Sequence, residues 1–439
     1  MMGKGYGRFR LGQKRLLASL ALALATILPA TAQPLVPLPP QPDGLAWPTE
    51  GWEQGELPAE IADDVRAQID EVMTRELSDV MGETRAVVII HRGKLVLEAY
   101  RDGFGPETKQ VSWSMAKSVT SALTGRAVQL GLIEDIDVPM PSPFEADDPR
   151  SEITWRQWLT MTDGLDYLEI GATSMAENDV IQMMYGPGRF DVTQYIVDEL
   201  PLIHAPGTVW NYSTAGYHLL GRALQQISGS FELGQGMKDA LAEQWDAEFR
   251  ERLINHSVEL QYSKIYSGEL LNVLLFEPLG MDAQPEFDSA GTYLGGSLVW
   301  ASARDFAKFG YLYLRDGVWE GERLLPEGWV DFSRTDPDDT DANVYGAGWW
   351  ITTRGADPVP PYQKRNAPPW DSFAAEGHEG QTIFVVPSRD LVIVRLGLMS
   401  NEGENWPELF KWNQSLANLF PETRFASIPD ESGTETNSP

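Results

Sequence analysis

The chain has 439 residues, no cysteine and a formal net charge of −30. So acidic a chain repels nucleic acid and anionic membrane surfaces, and it can form no disulfide. Its length suits one large domain or two interleaved ones.

Residues 1–32 read as a bacterial Sec-type signal peptide. Lys4, Arg8, Arg10, Lys14 and Arg15 form a basic start, Leu16–Leu28 an apolar stretch, and Ala30-Thr31-Ala32 a small-residue cleavage site. Cleavage after Ala32 would place the mature chain in the periplasm or outside the cell. The apolar stretch is too short to span a bilayer comfortably, so no stable membrane insertion is expected after cleavage. Residues 33–58 are proline-rich without an apolar period and read as a linker or surface wrap. Ala59–Val80 carries Ile61, Val65, Ile69, Val72, Leu77 and Val80 at helical spacing. Thr84–Ile90 and Leu95–Tyr100 are β-rich runs around His91-Arg92-Gly93-Lys94, which predicts a hairpin.

Val111–Leu132 predicts a central helix, apolar on most of its surface. Thr154–Met161 predicts a short helix leading into Thr162-Asp163-Gly164, and Ala215–Ser228 a strongly apolar one. Phe231–Ser267 is charged and helical in pattern, and Leu270–Met281 and Leu298–Asp316 are also helical in pattern. Tyr345–Thr352, Gln381–Val386 and Leu391–Leu398 read as strands, Leu409–Phe420 as a closing helix, and residues 426–439 as a disordered polar tail. Strands at both ends with helices between them imply an α+β fold. One domain over residues 59–425 would hold an antiparallel sheet from both chain ends, flanked by helices, with an all-helical insertion over about residues 139–290.

The central helix carries Ser114-Met115-Ala116-Lys117. Positions three apart share a helix face, so the Ser114 hydroxyl and the Lys117 amine are neighbours by local geometry alone. A helix N-terminus favours developing negative charge, and a buried lysine tends to lose its proton. Those are the parts of an activated nucleophile. Tyr212-Ser213-Thr214 sits at a loop-to-helix junction, where the phenol can point into a cleft. Glu376-Gly377-His378-Glu379-Gly380-Gln381 precedes a strand, and its glycines allow close backbone approach to a ligand. The five histidines are scattered and His378-Glu379 lacks a second histidine four residues on, so no zinc site is expected. There is no G-x-S-x-G elbow and no phosphate loop.

Ser-x-x-Lys, then Tyr-x-(Asn), then (Lys/His)-x-Gly before a late strand resembles the serine β-lactamase and penicillin-recognising superfamily in its class C-like branch. The runs SWSMAKSVTSALTGRAVQLGLI, APGTVWNYSTAGYHLLGRAL and GHEGQ are similar to the 6-aminohexanoate-oligomer hydrolases and related carboxylesterases. The resemblance implies a β-lactamase/transpeptidase-like fold and a serine hydrolase of small esters or linear amides, with no cofactor. It implies Ser114 as nucleophile, Lys117 as base and Tyr212 as second acid/base. The backbone N–H groups of Ser114 and Gln381 would form the oxyanion hole, with Thr214, His378 and Gly380 against the substrate. It leaves open a β-lactamase, a D-aminopeptidase or DD-peptidase acting on wall peptides, or a sensor module that acylates without turnover. Two departures bear on this. Thr214 stands where the family usually has asparagine, and His378 where β-lactamases have lysine. Both weigh toward esters and plain amides.

Overall fold

The computed structural model describes residues 35–229, 270–337, 344–352, 367–400 and 402–423. The expected signal peptide, Phe231–Ser267, most of the proline-rich Asp357–Trp370 stretch and the tail lie outside the described residues. Strands β1 (Glu83–His91) and β2 (Lys94–Tyr100) form the predicted hairpin. The last strand, β11 (Leu391–Leu398), pairs with β1, and β10 (Gln381–Val386), β9 (Phe373–Gly377) and β8 (Trp350–Ile351) follow outward. The result is a six-stranded antiparallel sheet, ordered β2-β1-β11-β10-β9-β8, built from both ends of the chain.

Both faces of this sheet are buried, and the period of two decides which side chain goes where. Val87, Ile89, Phe384, Val386 and Ile393 face helix α1 (Ala62–Met73) and the closing helix α9 (Glu402–Leu419). Val88, Ile90, Ile383, Val385, Val392 and Val394 face the other way. There they meet α2 (Met115–Gln129) and α7 (Ala303–Leu314), which carry the larger core. Each such aliphatic side chain contributes about 1.5–3 kcal/mol by leaving water.

Between the hairpin and the late strands lie α3 (Trp155–Leu159), α4 (Asp179–Met184), α5 (Val192–Glu199), α6 (Thr214–Gly229) and a π-helical turn at Asn272–Phe276. A capping box between Thr154 and Gln157 starts α3. Helix α6 packs across α2 and α3. A small sheet of β3 (Gln110–Val111), β5 (Val299–Ala301) and β4 (Gln284–Pro285) closes this part. Beyond α7 come the short pair β6 (Val318–Trp319) and β7 (Glu322–Arg323) and helix α8 (Trp329–Ser333).

Several boundaries differ from expectation. Helix α1 stops at Met73, and Leu77 and Val80 are exposed. The Asp79 carboxylate accepts the Glu76 N–H at 2.7 Å, so a side chain competes with helix propagation there. The helical pattern over Leu298–Asp316 begins as strand β5. Ser302 then caps α7 by accepting the Asp305 N–H, so the helix opens at Ala303. Gln284–Pro285 is strand β4, so the helical stretch ends short of residue 290. Residues 36–58 lie along the body. The Pro39 carbonyl accepts from Arg315 at 3.2 Å, and Trp47 packs on Tyr311 and Trp319.

Candidate active site

Ser114 occupies the position just before α2, where a serine normally turns its hydroxyl back onto the helix's own N–H groups. Here it makes no such cap. The hydroxyl lies 2.9 Å from Lys117 Nζ, one turn further along. The residue before it, Trp113, has φ +44°, in the left-handed region that side chains rarely adopt. Such backbone costs on the order of 1–3 kcal/mol and persists only where its surroundings fix it. The Trp113 indole N–H donates to Glu379 Oε2 at 3.3 Å, and its ring meets His378 edge-on at 5.2 Å.

Lys117 is fully buried. Its Nζ reaches three oxygens: Ser114 Oγ at 2.9 Å, Thr214 Oγ1 at 2.8 Å and the Gly296 carbonyl at 2.7 Å. Burial drives its pKa down to about 8, against a smaller upward pull from the Glu169 carboxylate. Thr214 is the first residue of α6, and Gly296 sits so close to it that a Cβ there would lie 2.7 Å from the Thr214 carbonyl oxygen. Only glycine allows this approach. The Gly296 N–H donates to His218 Nδ1 at 3.3 Å. His218, one turn along α6, is fully buried, and burial with Lys117 nearby lowers its pKa to about 3. It is therefore neutral.

Tyr212 lies two residues before Thr214, the start of α6. Its ring centroid is 4.9 Å from Lys117 Nζ. Trp350 stacks on it at 5.3 Å, and Tyr345 meets it edge-on at 5.9 Å. Trp210 packs on both Tyr345 and Trp350, so two rings hold the phenol directly and a third braces them. Small hydroxyls along α2 anchor it to the same surroundings. Thr120 donates to the Gly295 carbonyl at 2.8 Å, and Ser121 to the Ala347 carbonyl at 2.9 Å.

The structure thus brings Ser114, Lys117, Tyr212 and Thr214 together. Gln381 opens β10, and its partner across the strands, Gly377, fits against the Ser112 carbonyl just ahead of α2. The end of β9 therefore meets the backbone two residues before Ser114. The Gln381 side chain is spent on structure, bonding the Gly397 N–H and carbonyl. His378 is exposed and touches Trp113. The space beside Gly380 is filled by Arg395. That guanidinium, fully buried, donates to Thr84 Oγ1 and to the carbonyls of Glu379, Gly380, Met81 and Glu83. Each of its five N–H groups has an acceptor, and the turn over residues 378–380 is pinned to β1. Among the described residues no three His, Cys, Asp or Glu side chains gather as a metal-binding group.

Sequence reasoning missed Glu169, Trp113, His218, Gly296 and Arg395. Glu169 lies in the loop after Thr162-Asp163-Gly164. Its Oε2 accepts from Thr214 Oγ1 at 2.8 Å, from the Thr214 N–H at 3.3 Å and from the Tyr167 hydroxyl at 3.1 Å. A lone loop glutamate carries no local pattern that would reveal this.

The chain is 25% identical over 353 residues to an uncharacterized protein of Alkalihalophilus pseudofirmus, covering 76% of this chain and 89% of that one. It is 24% identical over 377 residues to a 6-aminohexanoate-dimer hydrolase of Paenarthrobacter ureafaciens, covering 80% and 81%. Among solved structures, a Bacillus anthracis protein provisionally named a 6-aminohexanoate-dimer hydrolase superposes with a TM-score of 0.57 at 18% identity, covering 85% of this chain and 89% of that chain. The model of the family described as Beta-lactamase matches residues 74–412. With that match spanning most of its length and the sheet and helices arranged as they are, the chain belongs to the β-lactamase family.

Proposed function

We propose that the protein is a serine hydrolase that cleaves ester or linear amide bonds of small substrates through an acyl-enzyme on Ser114. The observation that carries this reading is the 2.9 Å contact between Ser114 Oγ and a fully buried Lys117 amine whose pKa lies near 8. Lys117, uncharged, takes the hydroxyl proton as Ser114 Oγ attacks the substrate carbonyl carbon. The carbonyl oxygen becomes an oxyanion held by the Ser114 and Gln381 N–H groups, each worth roughly 3 kcal/mol in the transition state. Tyr212 protonates the leaving alkoxide or amine as its bond to carbon breaks. It then takes a proton from the water that attacks the acyl-serine, and Ser114 leaves with a proton returned by Lys117.

The relative from Paenarthrobacter ureafaciens is named for hydrolysis of a linear amide dimer, which supports the amide half of this reading. The exposed His378 next to Glu379 offers no fixed cation for a β-lactam carboxylate, which supports plain esters and amides over penicillins. The signal-peptide reading of residues 1–32 adds a periplasmic or secreted setting to the proposal.

The test is steady-state turnover of p-nitrophenyl acetate, 6-aminohexanoate dimer, D-alanyl peptides and nitrocefin. Sustained cleavage of the ester and the linear amide, lost in Ser114→Ala, is expected. Turnover confined to D-peptides or nitrocefin would overturn the substrate class. A single burst with no steady state would make the protein a sensor.

A further inference from the structure

The hydrogen bonds around Lys117 form a chain whose direction has to be set. A neutral lysine amine has two N–H groups and one lone pair. To act as base toward Ser114, the lone pair must point at that hydroxyl, and both N–H groups must point elsewhere. The Gly296 carbonyl, 2.7 Å away, can only accept, so it takes one of them. The third neighbour is Thr214 Oγ1 at 2.8 Å, and a hydroxyl is ambivalent: it can accept from the amine or donate to it. If it donated, it would occupy the lone pair and turn an N–H toward Ser114, and the base would be lost.

Glu169 removes the ambiguity. Its Oε2 lies 2.8 Å from the same Thr214 hydroxyl. The Tyr167 hydroxyl and the Thr214 N–H converge on that one oxygen as well, at 3.1 and 3.3 Å. An oxygen met by three donors has no room for a proton of its own and can only accept. The Thr214 hydrogen is therefore drawn to Glu169, and its lone pair is left for Lys117. The loop is fixed for this task, since Asn178 Nδ2 donates to the Glu169 carbonyl at 3.2 Å.

We propose that Glu169 is a positioning residue for the Ser114–Lys117 pair, orienting the Thr214 hydroxyl so that the Lys117 lone pair faces Ser114. This rests on the acyl-transfer reading above. It also gives the threonine at this position a rationale. An amide at residue 214 can present a carbonyl oxygen to the lysine unaided, because that oxygen is an acceptor whatever lies behind it. A hydroxyl needs a second acceptor at its back, and this chain supplies one from the loop before α4. No proton leaves Thr214 or Glu169 in the cycle. The only transfer at this corner is from Ser114 Oγ to Lys117 Nζ.

The experiment is a double-mutant cycle read in kcat on a p-nitrophenyl ester. Glu169→Ala should lower kcat by at least about tenfold with little change in KM. In a Thr214→Asn background, and separately in Thr214→Val, the same Glu169→Ala change should cost less than about threefold. Glu169→Gln, whose amide oxygen can still accept, should recover most of the loss. Equal losses in all three backgrounds would overturn the inference and leave Glu169 as a helix-start partner for α6. So would a Glu169→Gln loss as deep as that of Glu169→Ala, since charge and not direction would then be at work. Should Glu169→Ala fail to fold by circular dichroism, Glu169→Met fills the space without an acceptor and is read instead. Ser114→Ala separates the two claims. If it is inactive while the cycle is additive, only the role of Glu169 falls; if it still turns over, the acyl-enzyme falls.

Discussion

His218 and Lys117 hold the two backbone polar groups of one residue, Gly296. The Gly296 N–H donates to His218 Nδ1 at 3.3 Å, and the Gly296 carbonyl accepts from Lys117 at 2.7 Å. By holding the Gly296 N–H, His218 limits the movement of the residue whose carbonyl the lysine bonds. His218→Phe fills the same buried volume without an acceptor. It should lower kcat by about ten- to a hundredfold while KM changes little, because misplacing a base by a fraction of an ångström acts on the chemical step. Steady-state kinetics with an ester checks this, and an unchanged kcat would release His218 from that role. Gly296→Ala should also destabilise the fold by about 1–3 kcal/mol, since its Cβ would press on Thr214.

The pH dependence follows from the sign of the Lys117 shift. Only the neutral amine can accept the serine proton, and burial brings its pKa down to about 8. On an uncharged ester, kcat/KM should therefore rise with pH through a limb near 8 and level off above it. The charged or titratable groups around the amine are Glu169 from its loop, Tyr212 before α6 and His218 on α6, with His218 neutral. Glu169 opposes the burial effect by stabilising the ammonium, so Glu169→Gln should move the limb to lower pH. A pH profile from 6 to 10 measures both. A limb that stays put in the variant would mean that Lys117 does not govern it.

Arg395 offers a stability test at a distance from the reacting atoms. Its five N–H groups satisfy four carbonyls and the Thr84 hydroxyl. Arg395→Met would strand all of these buried acceptors and should cost about 3 kcal/mol or more. Arg395→Lys, with three N–H groups for five acceptors, should fall between. Urea unfolding gives the two values. Because the same guanidinium pins the turn over residues 378–380, ester turnover should fall in both variants even where they remain folded.

Much of this was legible in the sequence because it is local. Serine and lysine three apart on a helix must be neighbours, and the β1–β2 hairpin and the β10 and β11 strands announce themselves as short runs rich in β-branched and other apolar residues. Tyr212 and Thr214 could be placed by their position before an apolar helix. What the sequence hid is set by contacts distant along the chain. Phe373-Ala374-Ala375-Glu376-Gly377 has little strand character of its own and becomes β9 because β8 and β10 flank it. Trp113 takes its left-handed backbone from a fit against the turn at Glu379, more than 260 residues away. Glu169 and Gly296 converge on Lys117 from separate loops, and neither belongs to a spacing pattern. The bonds that direct the lysine are therefore the part that only coordinates reveal.

In the proposed cycle Ser114 Oγ becomes covalently bonded to the acyl carbon. The most direct measurement is intact-protein and peptide mass spectrometry after reaction with a fluorophosphonate, and after rapid quench with a slowly hydrolysed ester. One adduct is expected, on the peptide containing Ser114, absent in Ser114→Ala and strongly slowed in Lys117→Met. An adduct on another side chain, or one that survives in Ser114→Ala, would contradict it.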